Sequence, residues 1–307
     1  MSTGPPQRAP RTPDARKHTQ LAEAISRWYR LHARALPWRA EGFGAWGILV
    51  SEFMLQQTPV SRVIEPLREW LEKWPTPRAL AAAPAGDAVR AWGRLGYPRR
   101  ALRLHACAVT IVERHGGIVP DDVEELLALP GVGEYTARAV AVFAFGRRHP
   151  VVDTNVRRVL ARAIGGKGQP SPPATGRDLA AMEELLPEDP VEAAVVSAAV
   201  MELGAIVCTA RSPVCGDCPI AARCAWRTAG YPEYSGPTRA VQARYEGSDR
   251  QARGKILAEL RGSDGPVAAD IISRAWPDAI QLSRALASLL DDGLVEPDGE
   301  DSYRLPD

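Results

Sequence analysis

The sequence predicts an all-α protein that ends in a small winged-helix-like domain, and three observations carry the prediction. Apolar residues recur at intervals of three and four over most of the chain, strand-like alternation is scarce, and the breaks are short Pro/Gly signals such as WPTPRA, GRLGYP, LPGVG and KGQPSPP. The 307 residues suffice for one large domain or two or three smaller ones. A hydrophobic fraction of 45% and a charged fraction of 24% are those of an ordinary soluble protein. No apolar run nears the roughly 18 residues that cross a membrane, and the first residues lack the apolar segment of a secretory signal. A cytoplasmic protein is the expectation.

The elements follow in order. MSTGPPQRAPRTPDARK is polar and proline-rich, so residues 1–17 read as a disordered tail. Leu21, Ile25, Trp28 and His32 then mark a first helix behind Thr19, a suitable N-cap. Further helices are expected over 46–57, 60–72, 100–115, 122–128, 134–145, 155–164, 176–186 and 191–207. Residues 233–249 form a polar linker. Beyond it, 250–261, 267–275 and 279–291 read as short helices, and 293–305 as a hairpin turning at Asp298-Gly299. Three helices and a hairpin give the winged-helix-like domain, 250–307.

Net charge is only +1, but it is unevenly spread. Residues 262–307 carry ten acidic and three basic side chains, leaving 35 basic and 27 acidic residues upstream. In that basic part, Arg90, Arg94, Arg99, Arg100 and Arg103 cluster, as do Arg147, Arg148, Arg157, Arg158 and Arg162. Such patches suit phosphate contacts.

Four stretches carry chemistry. CTARSPVCGDCPIAARC places Cys208, Cys215, Cys218 and Cys224 in a C-x6-C-x2-C-x5-C array. With no secretory signal, four thiolates within 17 residues indicate a metal site, and zinc and an iron–sulfur cluster both accept four cysteines. Cys107, alone on an apolar helix, reads as a buried spectator thiol. LPGVGEYTARAV sets Gly131 and Gly133 at a tight turn before a helix, where backbone N–H groups and the helix's positive end can approach an anion such as a DNA phosphate. In HPVVDTNVRRVLAR, Asp153 precedes a helix and suits its N-cap. In LVSEFMLQQTPV, Glu52 and Gln56 share one side of a helix away from Leu49, Val50 and Phe53. Taken alone, that spacing describes a solvent-facing glutamate.

Read together, LPWR (36–39), SEFMLQQT (51–58), GRLGYPRRALRLH (93–105), LPGVGEYTA (129–137), VVDTNVRRVLAR (151–162), MELGAIVC (201–208) and the cysteine array resemble the helix-hairpin-helix superfamily of base-excision DNA glycosylases. The branch they resemble is the MutY-type adenine glycosylases, in a short form similar to actinobacterial members. The resemblance covers about Ala22 to Cys224. It implies a two-lobed fold: 18–45 with 151–232 as an iron–sulfur cluster lobe, and 46–150 as a six-helix barrel lobe bearing the hairpin. It also implies a [4Fe–4S] cluster on Cys208, Cys215, Cys218 and Cys224.

The activity so implied is hydrolysis of the N-glycosidic bond of adenine mispaired with 8-oxoguanine or guanine in double-stranded DNA, by a monomer with no membrane partner. Glu52, with its pKa raised by apolar neighbours, would protonate the leaving base, and an ionised Asp153 would face the oxocarbenium ion. Tyr135 stands where bifunctional relatives carry a Schiff-base lysine, which implies a monofunctional enzyme. Tyr135 and Asn155 would touch the sugar or orient Asp153. Gln57 and Tyr97 would wedge into the base stack, Thr58 would lie near the opposite 8-oxoguanine, and Gly131 and Gly133 would hold a phosphate. Two features depart from the pattern. Longer relatives end in a large β-rich domain that inspects 8-oxoguanine, whereas this acidic ending suits a protein partner or regulation. Ala198 also stands where relatives place a polar residue against the adenine edge. The alternatives are a thymine/uracil mismatch glycosylase on the same scaffold and a non-catalytic damage-binding protein.

Overall fold

The computed structural model describes residues 13–236 and 244–307; part of the expected tail and part of the expected linker lie outside them. The first helix, Pro13–His32, opens with proline and carries Asp14 in its first turn, both favoured at a helix start. It begins earlier than the apolar spacing suggested. Thr19 is not its cap but lies inside it, donating its hydroxyl to the Ala15 carbonyl at 2.9 Å, and residues 13–17 are helical instead of tail.

The described chain divides into two compact units, residues 13–35 with 138–236 and residues 36–137 with 244–307. The sequence places its lobe boundaries at 45/46 and 150/151; the compact units divide at 35/36 and 137/138.

In the first unit, helix Pro13–His32 packs with Thr154–Ala163, Thr175–Glu183 and Pro190–Ile206. Leu21, Ile25, Val156, Met182, Val200 and Leu203 lie in its core. Glu202 is 1% exposed, and a carboxylate so deep must be paired. Arg34 meets it with two guanidinium bonds of 2.7 Å and its backbone N–H at 3.0 Å. The Arg30–Glu192 pair, at 2.7 Å, ties helix Pro13–His32 to helix Pro190–Ile206.

The second unit opens with the short Pro37–Arg39 turn and helices Ala45–Leu55, Val60–Lys73, Pro77–Ala81, Ala85–Trp92, Arg99–His115 and Val123–Leu127. Trp70 stands edge-on to both Trp74 and Trp92, with ring centroids 4.6 and 5.7 Å apart, in its core. Two of these helices are absent from the sequence reading. WPTPRA reads as a break from its prolines, but Thr76 accepts from the Ala79 N–H as an N-cap and Pro77 opens Pro77–Ala81.

The winged-helix-like part belongs to this unit and runs helix Asp249–Arg261, strand Val267–Ala268, helices Ala269–Ser273 and Ala279–Asp291, then strands Glu296–Pro297 and Ser302–Arg304. The last strand lies between the other two, antiparallel to both, with Tyr303 opposite Val267 and Pro297. The turn falls at Asp298-Gly299, where Gly299 takes φ 70° and Asp298 N–H donates to Ser302 O at 2.8 Å. Residues 267–268, read as the start of a helix, pair as a strand.

Candidate active site and cluster site

Glu52 is 6% exposed. The solvent-facing reading fails because residues Trp46–Met54 of its helix are all buried, and a helix apolar all round has no wet side for the carboxylate. Gln56, just past that helix, donates to Thr136 Oγ1 at 3.5 Å, in the first turn of helix Glu134–Phe145. Gly131, at φ 78°, explains the fit between hairpin and helix. A Cβ there would lie 2.8 Å from Arg103 Cβ and 2.9 Å from the Phe53 ring, so only glycine lets the hairpin sit this close. Gly133 is exposed with open space where a side chain would be, and Tyr135 is half-buried.

Gln57 and Tyr97 share two properties: both are exposed, and both adopt left-handed backbone, φ 57° and 48°. That conformation costs a non-glycine residue about 1–2 kcal/mol. Arg100 secures both turns from beneath. It is 6% exposed and donates to the carbonyls of Phe53 (2.8 Å), Met54 (3.1 Å), Gln56 and Gly96 (2.9 Å), and to Thr58 Oγ1 (3.0 Å). It thus caps the carbonyl end of the Glu52 helix. Its guanidinium lies 5.2 Å from the Trp92 ring and 5.5 Å from the Tyr97 ring, and burial pulls its pKa down to about 10. Thr58, expected beside a DNA base, is buried, and its hydroxyl bridges Arg100 and the Leu95 carbonyl (3.2 Å). The side chain braces the turns from inside.

In the other unit, Asp153 caps helix Thr154–Ala163, as its position suggested. Oδ1 accepts from Val156 N–H and Oδ2 from Asn155 Nδ2, each at 2.7 Å. Burial pushes the carboxyl above its usual range, and the bonds from Val156 and Asn155 and the charge of Arg158 offset this only in part. Desolvation therefore works against the ionised form expected there. Asn155 Oδ1 accepts in turn from Arg158 Nη2 at 2.8 Å, and Arg158 also donates to the carbonyls of Gly204 and Cys208, both at 2.7 Å. Gly204 permits this crossing, since a Cβ would lie 2.7 Å from Asn155 Cβ and 2.9 Å from its carbonyl oxygen.

The arginine clusters are split: Arg94, Arg99, Arg103 and Arg147 are exposed, whereas the other six turn wholly or partly inward. Arg100, Arg158 and Arg162 bind backbone carbonyls, Arg148 binds Glu183 and Pro187 O, and Arg157 binds Asp178 at 2.7 Å. Sequence reasoning missed Arg100, Arg158, Arg162 and Gly204. The available signal was spacing: Arg158 lies three residues after Asn155 on one helix, hence on the same face.

Cys208, Cys215, Cys218 and Cys224 all line one solvent-open cavity, walled by Val159, Leu203, Ile220 and Trp226. None of the four is in a disulfide. Among the described residues, no three His, Cys, Asp or Glu side chains are placed to hold a single metal ion. Cysteines set around a cavity suit a cluster of several atoms better than one zinc ion. Burial pushes Cys218 up to about 11, so its thiolate needs the compensating positive charge of iron. Arg162 reaches Cys208 Sγ at 3.3 Å and the Thr209 carbonyl at 2.7 Å, and lies 4.7 Å from the Trp226 ring. Cys107 is fully buried, outside that cavity, with burial pushing its thiol up to about 12.

Comparison with known proteins agrees with this division. Residues 50–184 match the HhH-GPD superfamily of base excision DNA repair proteins, and residues 208–224 match the iron-sulfur binding domain of endonuclease III; the chain holds a [4Fe–4S] cluster, and Cys208, Cys215, Cys218 and Cys224 all fall in the second matched segment. A thermostable thymine-DNA glycosylase structure aligns with TM-score 0.65 at 26% identity, covering 70% of this chain and 99% of its own. An endonuclease III–DNA covalent complex shares the fold, with TM-score 0.61 over 71% of this chain and 99% of its own. The adenine DNA glycosylase of Homo sapiens is 39% identical over 69% of this chain and 40% of its own length. Those of Mycobacterium tuberculosis and Mycolicibacterium smegmatis are 54% and 55% identical over 91% of this chain and 91% and 93% of theirs. The chain belongs to the adenine DNA glycosylase family of the helix-hairpin-helix superfamily.

Proposed function

We propose that this protein is a monofunctional adenine DNA glycosylase that releases adenine mispaired with 8-oxoguanine or guanine in double-stranded DNA. The observation that carries the reading is Glu52, a carboxylate 6% exposed on a helix with no polar face. A structural role would not require a desolvated acid there, whereas protonation of a leaving base does.

Base-releasing enzymes extrude the target nucleotide before attacking it. Bond rupture then leaves negative charge on the base and positive charge on the sugar. Glu52, kept neutral by its surroundings, supplies the proton and afterwards serves as base for water. Asp153, ionised, stabilises the oxocarbenium ion. At about 4 Å and an effective dielectric near 20 that attraction is about 4 kcal/mol, on the order of a thousandfold in rate. Asn155 orients Asp153 through its 2.7 Å bond. Tyr135, a phenol, forms no Schiff base, so water is the nucleophile. Gln57 and Tyr97 enter the stack, and the backbone at Gly131 and Gly133 takes a phosphate. The cluster, when bound, compensates the four thiolates and braces its loop; this chain's own residues perform the chemistry.

A second reading, removal of thymine or uracil from mismatches, draws support from the thymine/uracil-DNA glycosylase of Pyrobaculum aerophilum, 36% identical over 66% of this chain and 90% of its own. One assay decides: duplexes pairing A, T, U or G with 8-oxoguanine and guanine, scored for abasic sites with and without alkali. Adenine release that needs alkali for strand scission is expected. Preferential release of T or U shifts the assignment, and scission without alkali overturns the role given to Tyr135.

A further inference from the structure

Four consecutive carbonyls precede Tyr97, and a side chain donates to each. Gly93 O accepts from Arg261 Nη1 at 2.5 Å, and Arg94 O accepts from Arg62. Leu95 O accepts from Thr58 Oγ1 at 3.2 Å and Arg100 Nη2 at 3.4 Å. Gly96 O accepts from Arg100 Nη2 at 2.9 Å and Trp92 Nε1 at 3.0 Å. An exposed turn ordinarily leaves its carbonyls to water. Here the grip surrounds the left-handed Tyr97, and such backbone persists only where its surroundings over-determine it.

All but one of these donors come from residues 58–100. Arg261 is the last residue of the first winged-helix-like helix, Asp249–Arg261. Its own carbonyl is held by Arg90 Nη1 at 2.8 Å, and the same nitrogen donates to Ser263 O at 2.6 Å. Two residues after Tyr97 in the chain, Arg99 pairs with Asp292 at 3.1 Å, and Arg253 holds Asp292 at 2.5 Å. The acidic domain therefore meets arginines of its own unit on both sides of the turn.

We propose that the winged-helix-like domain is a brace for the wedge: Arg261 is a positioning residue that completes the grip on residues 93–96 and sets Tyr97 for insertion beside the lesion. This rests on the reading of Tyr97 as a wedge. It gives the domain a part in damage recognition without any contact between its acidic surface and phosphates.

The test is a double-mutant cycle in the full chain with its cluster. It combines Arg261→Met and Tyr97→Ala and reads single-turnover excision from an A:8-oxoguanine duplex together with the fluorescence of 2-aminopurine placed beside the mispair. Tyr97→Ala lowers both signals. Arg261→Met alone slows excision about tenfold and reduces the unstacking signal, and it adds nothing in the Tyr97→Ala background. Equal losses in both backgrounds mean that Arg261 supports the fold at large and overturn the proposal. No loss from Arg261→Met beside a clear loss from Tyr97→Ala overturns the brace and leaves the wedge standing. No loss from Tyr97→Ala overturns both. Arg261→Lys keeps stem and charge but not the planar fork. If Arg261→Met melts far below the parent, Arg261→Lys decides, with a smaller loss that still depends on Tyr97; a loss independent of Tyr97 overturns the brace.

Discussion

Glu52 and Asp153 are both carboxylates removed from water, yet their surroundings are opposite in kind. Glu52 sits in a helix whose residues 46–54 are all buried. Asp153 stands at the positive end of a helix, receives two hydrogen bonds of 2.7 Å, and has Arg158 nearby. Burial acts on both, and at Asp153 two hydrogen bonds, a helix end and the charge of Arg158 work against it. The lesson is that a helix end, an amide and a nearby arginine temper the desolvation of a buried carboxylate without cancelling it, since Asp153 stays above its usual range.

The comparison breaks most visibly at Glu52. Glu52→Gln is expected to lower single-turnover base release by about a thousandfold or more, the upper part of what general acid catalysis contributes, with DNA affinity unchanged in a binding titration. Release at the parental rate would show that the proton comes from elsewhere.

Asp153 tests whether capping and chemistry are separable. Asparagine caps a helix as well as aspartate does. Asp153→Asn should therefore keep the melting temperature while losing on the order of a hundred- to a thousandfold in rate. Asp153→Ala should lose comparable activity and about 1 kcal/mol of stability as well. If Asn and Ala behave alike in both assays, the cap reading is wrong.

Gly204→Ala reaches the same carboxylate indirectly. The new methyl meets Asn155 at 2.7 Å, so the Asn155–Asp153 bond must shift, at about 1–3 kcal/mol in stability and a smaller loss of rate than at Asp153. A variant with parental melting and activity would show that the two helices separate freely.

The gentlest probe is pH. Burial holds Asp153 above its usual value, so the acid limb of kcat/KM should lie above the ordinary aspartate pKa of about 3.9. The sign follows from the neutral form being favoured in the native state. Stability falls as pH rises from the unfolded value to the raised folded value and is level above it, while activity that needs the ion falls as pH drops through the folded value. In Asp153→Asn this contribution to the pH dependence of stability should vanish.

Much of this was legible in the sequence because it is local. The cysteine array, the glycines of LPGVG and the capping position of Asp153 lie within short stretches whose residue types admit few roles. Glu52 was legible only through family resemblance, since helical spacing alone gave it a wet face; that helix 45–55 is covered all round depends on distant segments. The arginines misled for the same reason. The carbonyls that Arg100, Arg158 and Arg261 bind lie up to 168 residues away in the chain, and nothing in a run of basic residues tells a solvated face from a buried fork. Pro77 was ambiguous by nature, since proline stops one helix and starts another equally well. The two-residue strand Val267–Ala268 is too short to show alternation.

The pairing of Arg34 with Glu202 spans 168 residues. At about 5–20 residues per second, helix Pro13–His32 emerges from the ribosome on the order of ten to thirty seconds before the helix that covers Leu21 and Ile25. Throughout that interval it is a lone amphipathic segment, too weakly helical to hold its shape unaided, and a natural client for holdase chaperones. Newly made chains should consequently be far more prone to aggregate than the finished protein.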